Sequence, residues 1–104
     1  MKSTAILSLL MSLFLADTAQ ATPFAKGNAA HGKELLDQHC TACHVRQFGG
    51  DGSAIYTRKD RMIHSASSLA QRIDTCNANT GNSLFPEDEA DIGAYLNQTY
   101  YKFK

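Results

Sequence analysis

The residues best equipped for chemistry in this chain are Cys40, Cys43 and His44, in the run Cys40-Thr41-Ala42-Cys43-His44. Two thiols three residues apart lie on one side of a helical turn, so both can add to the vinyl groups of a single porphyrin while the next residue turns its imidazole to the iron. This is the Cys-x-x-Cys-His pattern of covalent haem attachment. A thioredoxin-type Cys-x-x-Cys wants a βαβ context, and half of a zinc site wants two more ligands at similar spacing. Neither accompanies the run. Cys40 and Cys43 are therefore read as the attachment points of one haem c, and His44 as an axial ligand of its iron.

The sixth iron position has four candidates, Cys76, Asn77, Met62 and His64. Met62 is the one methionine beyond residue 21, and His64 stands two residues from it. Cys76 continues the apolar line of Leu69 and Ile73 at i, i+4, i+7, with Asn77 one step further on. With Cys40 and Cys43 taken by haem, Cys76 has no partner for an intramolecular disulfide, so it is buried, ligated, or available to another chain.

These residues must be carried by a small unit. The chain has 104 residues, 43% of them hydrophobic, enough for one domain. Its first 21 residues read as a secretory signal: Lys2 gives a positive start, Ala5 to Ala16 an apolar run, and Ala19-Gln20-Ala21 a small-residue cleavage site. The run is too short to span a membrane. Cleavage after residue 21 removes Lys2 and Asp17, one of ten basic and one of ten acidic side chains, and leaves the formal charge at zero. No lysine-rich run points to nucleic acid or an anionic membrane, so nucleic-acid binding is set aside. A domain of residues 22–104 is marginal on its own core, and an apolar macrocycle at its centre would supply much of the buried surface, so the apoprotein is expected to fold poorly.

Thr22 to Gly27 reads as an extended lead-in, with Asn28 as N-cap of a helix from about Ala29 to His39 that contains Leu35 and Leu36. Gly32 inside that helix costs stability unless something packs close to its backbone. Near the other end, Pro86 suits a first helical turn, Glu87, Asp88 and Glu89 suit a helix N-terminus, and Ile92, Tyr95 and Leu96 make one apolar stripe. Between them, Phe48 to Ser53 is a glycine-rich loop. Ser67 or Ser68 caps a helix over Leu69 to Cys76. An aromatic tail, Tyr100, Tyr101 and Phe103, either caps the edge of the haem or covers the helix pair. The expected fold is all-α.

Gly27-Asn28-Ala29-Ala30-His31-Gly32-Lys33-Glu34-Leu35-Leu36 running into the haem motif resembles the opening of class I c-type cytochromes. Ala90-Asp91-Ile92-Gly93-Ala94-Tyr95-Leu96-Asn97 resembles the last helix of that family. The resemblance implies that the two terminal helices cross, with Ile92 and Tyr95 against Gly32 and Leu36, and that the helix of Leu69, Ile73 and Cys76 walls the haem pocket. It also implies export to the periplasm, where c-type haem is attached, and a carrier of single electrons between redox partner proteins rather than an enzyme. No acid/base pair is positioned for catalysis; Arg72 and Asp74 on the pocket helix read as solvated surface.

Two departures from the family stand out. Most members have a Gly-Pro pair after the haem histidine whose carbonyl accepts the imidazole N–H, whereas this chain has no proline between Pro23 and Pro86, so another loop carbonyl is expected in that role. Most also place a methionine in the loop before the last helix, whereas Asn77 to Phe85 contains none. The Cys76-Asn77 pair resembles the end of the pocket helix in small high-spin relatives with an asparagine at the sixth site; there the ligand precedes the cysteine, a place held here by Thr75. A haem protein with an open or weakly ligated sixth position, binding or sensing a small diatomic ligand, is the alternative function.

Overall fold

The computed structural model describes residues 23–104; the signal segment expected over residues 1–21 lies outside the described residues. The architecture is all-α: α1 Ala29–His39, α2 Thr41–Phe48, α3 Ala54–Thr57, α4 Ala66–Thr80 and α5 Pro86–Leu96, followed by a π-helical turn, Asn97–Tyr101, with no strand among the described residues. No helix among them is long and apolar enough to cross a membrane.

Asn28 starts α1 as expected, its side chain accepting from the His31 N–H at 3.1 Å and satisfying one of the free donors of the first turn. The segment before it is a turn rather than an extended lead-in. The Gly27 N–H donates to the Phe24 carbonyl at 2.8 Å, and this reversal lays the Phe24 ring against Gly93 of α5. At the other end Pro86 opens α5 with three acidic residues in its first turn, and the Phe85 N–H donates to Asp88 at 3.1 Å.

The terminal helices cross at Gly32. A Cβ there would fall on the Asp91 carbonyl and 2.8 Å from the Ile92 nitrogen, so only glycine lets the two backbones meet. The closest approach is thus at Asp91 and Ile92, with Leu36 and Ile92 buried and Tyr95 half-buried beside them. Asp91 fastens the crossing from its other side: Oδ1 accepts from the Asn28 N–H at 2.7 Å, and Oδ2 stands 2.6 Å from His31 Nδ1.

Helix α4 is longer than Leu69 to Cys76. It is capped by Ser65, whose hydroxyl accepts from the Ser68 N–H at 3.1 Å, and it ends at Gly81, which takes a left-handed conformation (φ 66°). Leu69 and Ile73 form its buried stripe. After α5, the buried Asn97 folds the following segment back: its amide donates to the Phe103 carbonyl at 3.1 Å and accepts from the Phe103 N–H at 2.8 Å. This sets Tyr101 in the core, stacked on Phe103 with ring centroids 5.3 Å apart.

The buried apolar cluster consists of Leu36, Tyr56, Ile63, Leu69, Ile73, Ile92, Leu96 and Tyr101. Every one of these side chains lines a single cavity of about 420 Å³. The core is therefore a shell around a space, and not a solid packing of side chains on one another.

Candidate functional site

Helix α1 ends where Cys40 leaves helical geometry (φ −126°, ψ −41°), and α2 restarts at Thr41 in a new direction. The break is held by the Thr41 hydroxyl, which donates to the Leu36 carbonyl at 3.2 Å. Because of this restart the first turns of α2 carry Cys43 and His44 onto the same cavity wall as Cys40. All three cysteines of the chain are free, and all three, Cys40, Cys43 and Cys76, line the cavity. Burial, and beyond it the nearby thiols of Cys76 and Cys43, pushes the Cys40 thiol up. The Cys43 sulfur accepts from the Arg46 guanidinium at 3.0 Å.

His44 is fixed on several sides. Its ring meets Phe48 and Tyr56 edge-on, with centroids 6.0 and 5.4 Å apart. The glycine loop closes over it: Gly52 is buried at φ +83°, and a Cβ there would stand 3.0 Å from the His44 Cβ. Burial holds the imidazole below its ordinary pKa, so the ring is neutral near pH 7, the form that ligates a metal. Nδ1 of His44 lies 2.7 Å from the Tyr56 hydroxyl. The group beside Nδ1 is thus a side chain from α3 and not a loop carbonyl, and α3 is a helix of four residues too short to leave any periodicity in the sequence. The one cue was an aromatic residue shortly after the glycine loop.

The four candidates for the sixth position are placed differently. Cys76 lies on the cavity wall near the end of the α4 stripe, on the solvent-exposed side. Met62 also lines the cavity, although 74% of its surface is exposed. Asn77 lines it too, but its amide is committed elsewhere: it donates to the Leu84 carbonyl at 3.0 Å and to Glu89 at 3.3 Å, and accepts from the Leu84 N–H at 3.0 Å. Those bonds tie α4 to the start of α5. His64 is exposed and is not on the cavity wall.

The rest of the wall has a distinct charge pattern. Arg58 and Arg72 line the cavity, and among the described residues no aspartate, glutamate or lysine does. Arg72 is exposed, as expected from the sequence, yet its side chain also borders the cavity. Arg61 reaches the same region from outside, its guanidinium 5.0 Å from the Tyr101 ring centroid. A second cavity, of about 260 Å³ and bordered by Lys33, Asp37 and Asp51, shares Leu36, His44 and Tyr56 with the first. A separate group of His31, Asp88 and Asp91, with ligand atoms within 4.8 Å of one another, belongs to the helix crossing, where both oxygens of Asp91 are already engaged.

The site is thus an apolar cavity with two thiols and a neutral imidazole on one wall, a pocket helix on another, and two guanidinium groups at its border. A comparison with known protein families, curated proteins and solved structures finds no match to this chain. What the site does is accordingly argued from its own chemistry.

Proposed function

We propose that this protein is an exported, periplasmic c-type cytochrome of the class I type, with one covalently bound haem, that carries single electrons between redox partner proteins. The observation that carries this reading is the grouping of Cys40, Cys43 and His44 on the wall of a cavity that the whole apolar core surrounds. A group with a broad apolar face and two carboxylates suits that wall, whose cationic side chains are Arg58 and Arg72 and which bears no carboxylate of its own. A group filling this cavity of about 420 Å³ would take the apolar side chains of its wall out of water and so would add to the stability of a small domain.

Cys40 and Cys43 would hold the group through two thioethers, His44 would ligate its iron, and Arg58 and Arg72 would neutralise its carboxylates. When bound, the haem supplies a one-electron couple. The buried side chains of Leu69, Ile73, Leu96 and Tyr101 would keep water from it, and a dry, rigid setting would limit rearrangement of the protein when its charge changes. Mass spectrometry of protein exported with the haem-attachment machinery tests the reading: residues 22–104 plus one haem, lost on Cys40→Ala with Cys43→Ala, is the expected result. A mature mass without haem would overturn it.

The alternative, a haem protein with an open or weakly held sixth position that takes a small diatomic ligand, is favoured by one observation. Of the four candidate donors, Asn77 is committed to Leu84 and Glu89, His64 is off the wall, and Met62 is largely in solvent, which leaves Cys76 at the exposed side. Visible spectra of the reduced protein with and without carbon monoxide decide between the two. Sharp low-spin bands that the gas leaves unchanged support the carrier with a firm ligand; displacement to a carbon monoxide complex supports the open site. Repeating the spectra on Met62→Ala, His64→Ala, Cys76→Ser and Asn77→Ala identifies the ligand by the variant that turns high-spin.

A further inference from the structure

An imidazole that ligates iron through Nε2 keeps its proton on Nδ1, and that N–H needs an acceptor to fix the ring about its bond to the metal. Here the group within reach is the Tyr56 hydroxyl, 2.7 Å away. We propose that Tyr56 is the positioning residue of His44, its phenol oxygen accepting the Nδ1 proton and passing electron density through the imidazole to the iron. The proposal rests on the haem reading above and adds to it the element of the fold that tunes the iron.

The geometry around Tyr56 is that of a held group. Its side chain is buried, 7% exposed, with the rings of Tyr100 and Tyr101 at 5.2 and 6.1 Å. Its backbone is pinned at both ends, the N–H donating to the Ser53 carbonyl at 2.9 Å and the carbonyl accepting from Arg61 at 3.1 Å. The loop that leads to it passes directly against His44 at Gly52, so the imidazole and the phenol cannot separate without moving the loop. The phenol keeps its own proton. Tyr56 also lines the second cavity.

A hydrogen bond from a ligating imidazole to an acceptor makes the ring more basic and favours the more highly charged, oxidised metal. Tyr56→Phe keeps the ring and its packing and removes only the acceptor. The oxidised-to-reduced equilibrium of that variant should move about tenfold toward the reduced form, a midpoint rise of 59 mV for one electron. The experiment uses exported holoprotein of both sequences. Mass spectrometry first establishes one haem on Cys40 and Cys43, and potentiometric titration of the visible bands then gives the two midpoints. Haem present with a higher midpoint in Tyr56→Phe is the expected result. Haem present with equal midpoints, or a lower one in the variant, overturns the role of Tyr56 and leaves the haem reading intact. No haem overturns both.

A second measurement does not depend on the variant folding. In wild-type protein labelled with nitrogen-15 in its histidines, reduced and saturated with carbon monoxide, the His44 Nδ1 proton should exchange slowly with solvent. Exchange too fast to observe would show that the bond to Tyr56 is not made, and would refute the proposal independently.

Discussion

Replacing Gly32 by alanine tests how tightly the terminal helices meet, and the sign of the effect is the informative quantity. In an ordinary helix interior the change stabilises, because alanine is better than glycine by about 0.8–1.0 kcal/mol in helix propensity. At Gly32 the added methyl group would fall on the Asp91 carbonyl and crowd the Ile92 nitrogen, both backbone atoms that a rotamer change cannot move aside. The helices must separate, at an overpacking cost of about 1–3 kcal/mol. Separation also lengthens the bonds from Asp91 to the Asn28 N–H and His31, each contributing about 0.5–1.5 kcal/mol. After the propensity gain is deducted, a net loss of roughly 1–5 kcal/mol remains. Thermal unfolding of the holoprotein by far-ultraviolet circular dichroism reads this directly, at about 4–8 °C per kcal/mol for a domain of this size. A melting temperature equal to wild type, or higher, would refute the crossing at Gly32. Gly32→Leu must do more damage than alanine, and an inverted order would be equally damaging to the reasoning.

Asn77→Ala should cost roughly 1–3 kcal/mol, because three bonds joining α4 to the start of α5 are lost, while the visible spectrum of the holoprotein stays as it was; a spectral change without loss of stability would make Asn77 a ligand instead. The clamp of His31 and Asp91 gives stability a pH window. The bond to Asp91 raises His31 above 6.5, so its contribution is complete below pH 6.5 and fades as pH rises through the raised value. The Asn28 N–H first, and then His31, hold Asp91 below 3.8, so its contribution is complete above pH 3.8 and is lost as pH falls through the lowered value. The melting temperature of wild type relative to His31→Gln should therefore be highest between these limits, and an offset that does not decline from pH 6 to pH 9 would refute the pairing.

The terminal helices were legible because their signals are local. Asn28 caps, Pro86 and the acids after it start a helix, and a glycine facing a crossing marks itself by its cost elsewhere. Cys40, Cys43 and His44 stood out for the same reason, and the structure brings all three onto one cavity. Tyr56 was not, since its value depends on Gly49, Gly50 and Gly52 all taking positive φ and turning the chain back over His44. Asn77 was assigned a pocket role from its position in the helix, but its amide is decided by Leu84 and Glu89, which return to it only after the chain reverses at Gly81. The lead-in and the aromatic tail depend likewise on distant partners, Phe24 on Gly93 and Phe103 on Asn97.

The segment from Asn97 to Phe103 is a closed ring. Asn97 holds Phe103 by both its N–H and its carbonyl, and the Asn97 carbonyl accepts from the Lys102 N–H at 2.8 Å. Tyr101 sits within that ring, with its side chain on the cavity wall. Such a segment opens as a unit, since no one of its bonds can break without loosening the others. Withdrawing Tyr101 from the cavity and releasing the two backbone amides are then a single event. The exchange rates of the Lys102 and Phe103 amide hydrogens would share one opening free energy, and that number would measure how often this side of the cavity is exposed to solvent.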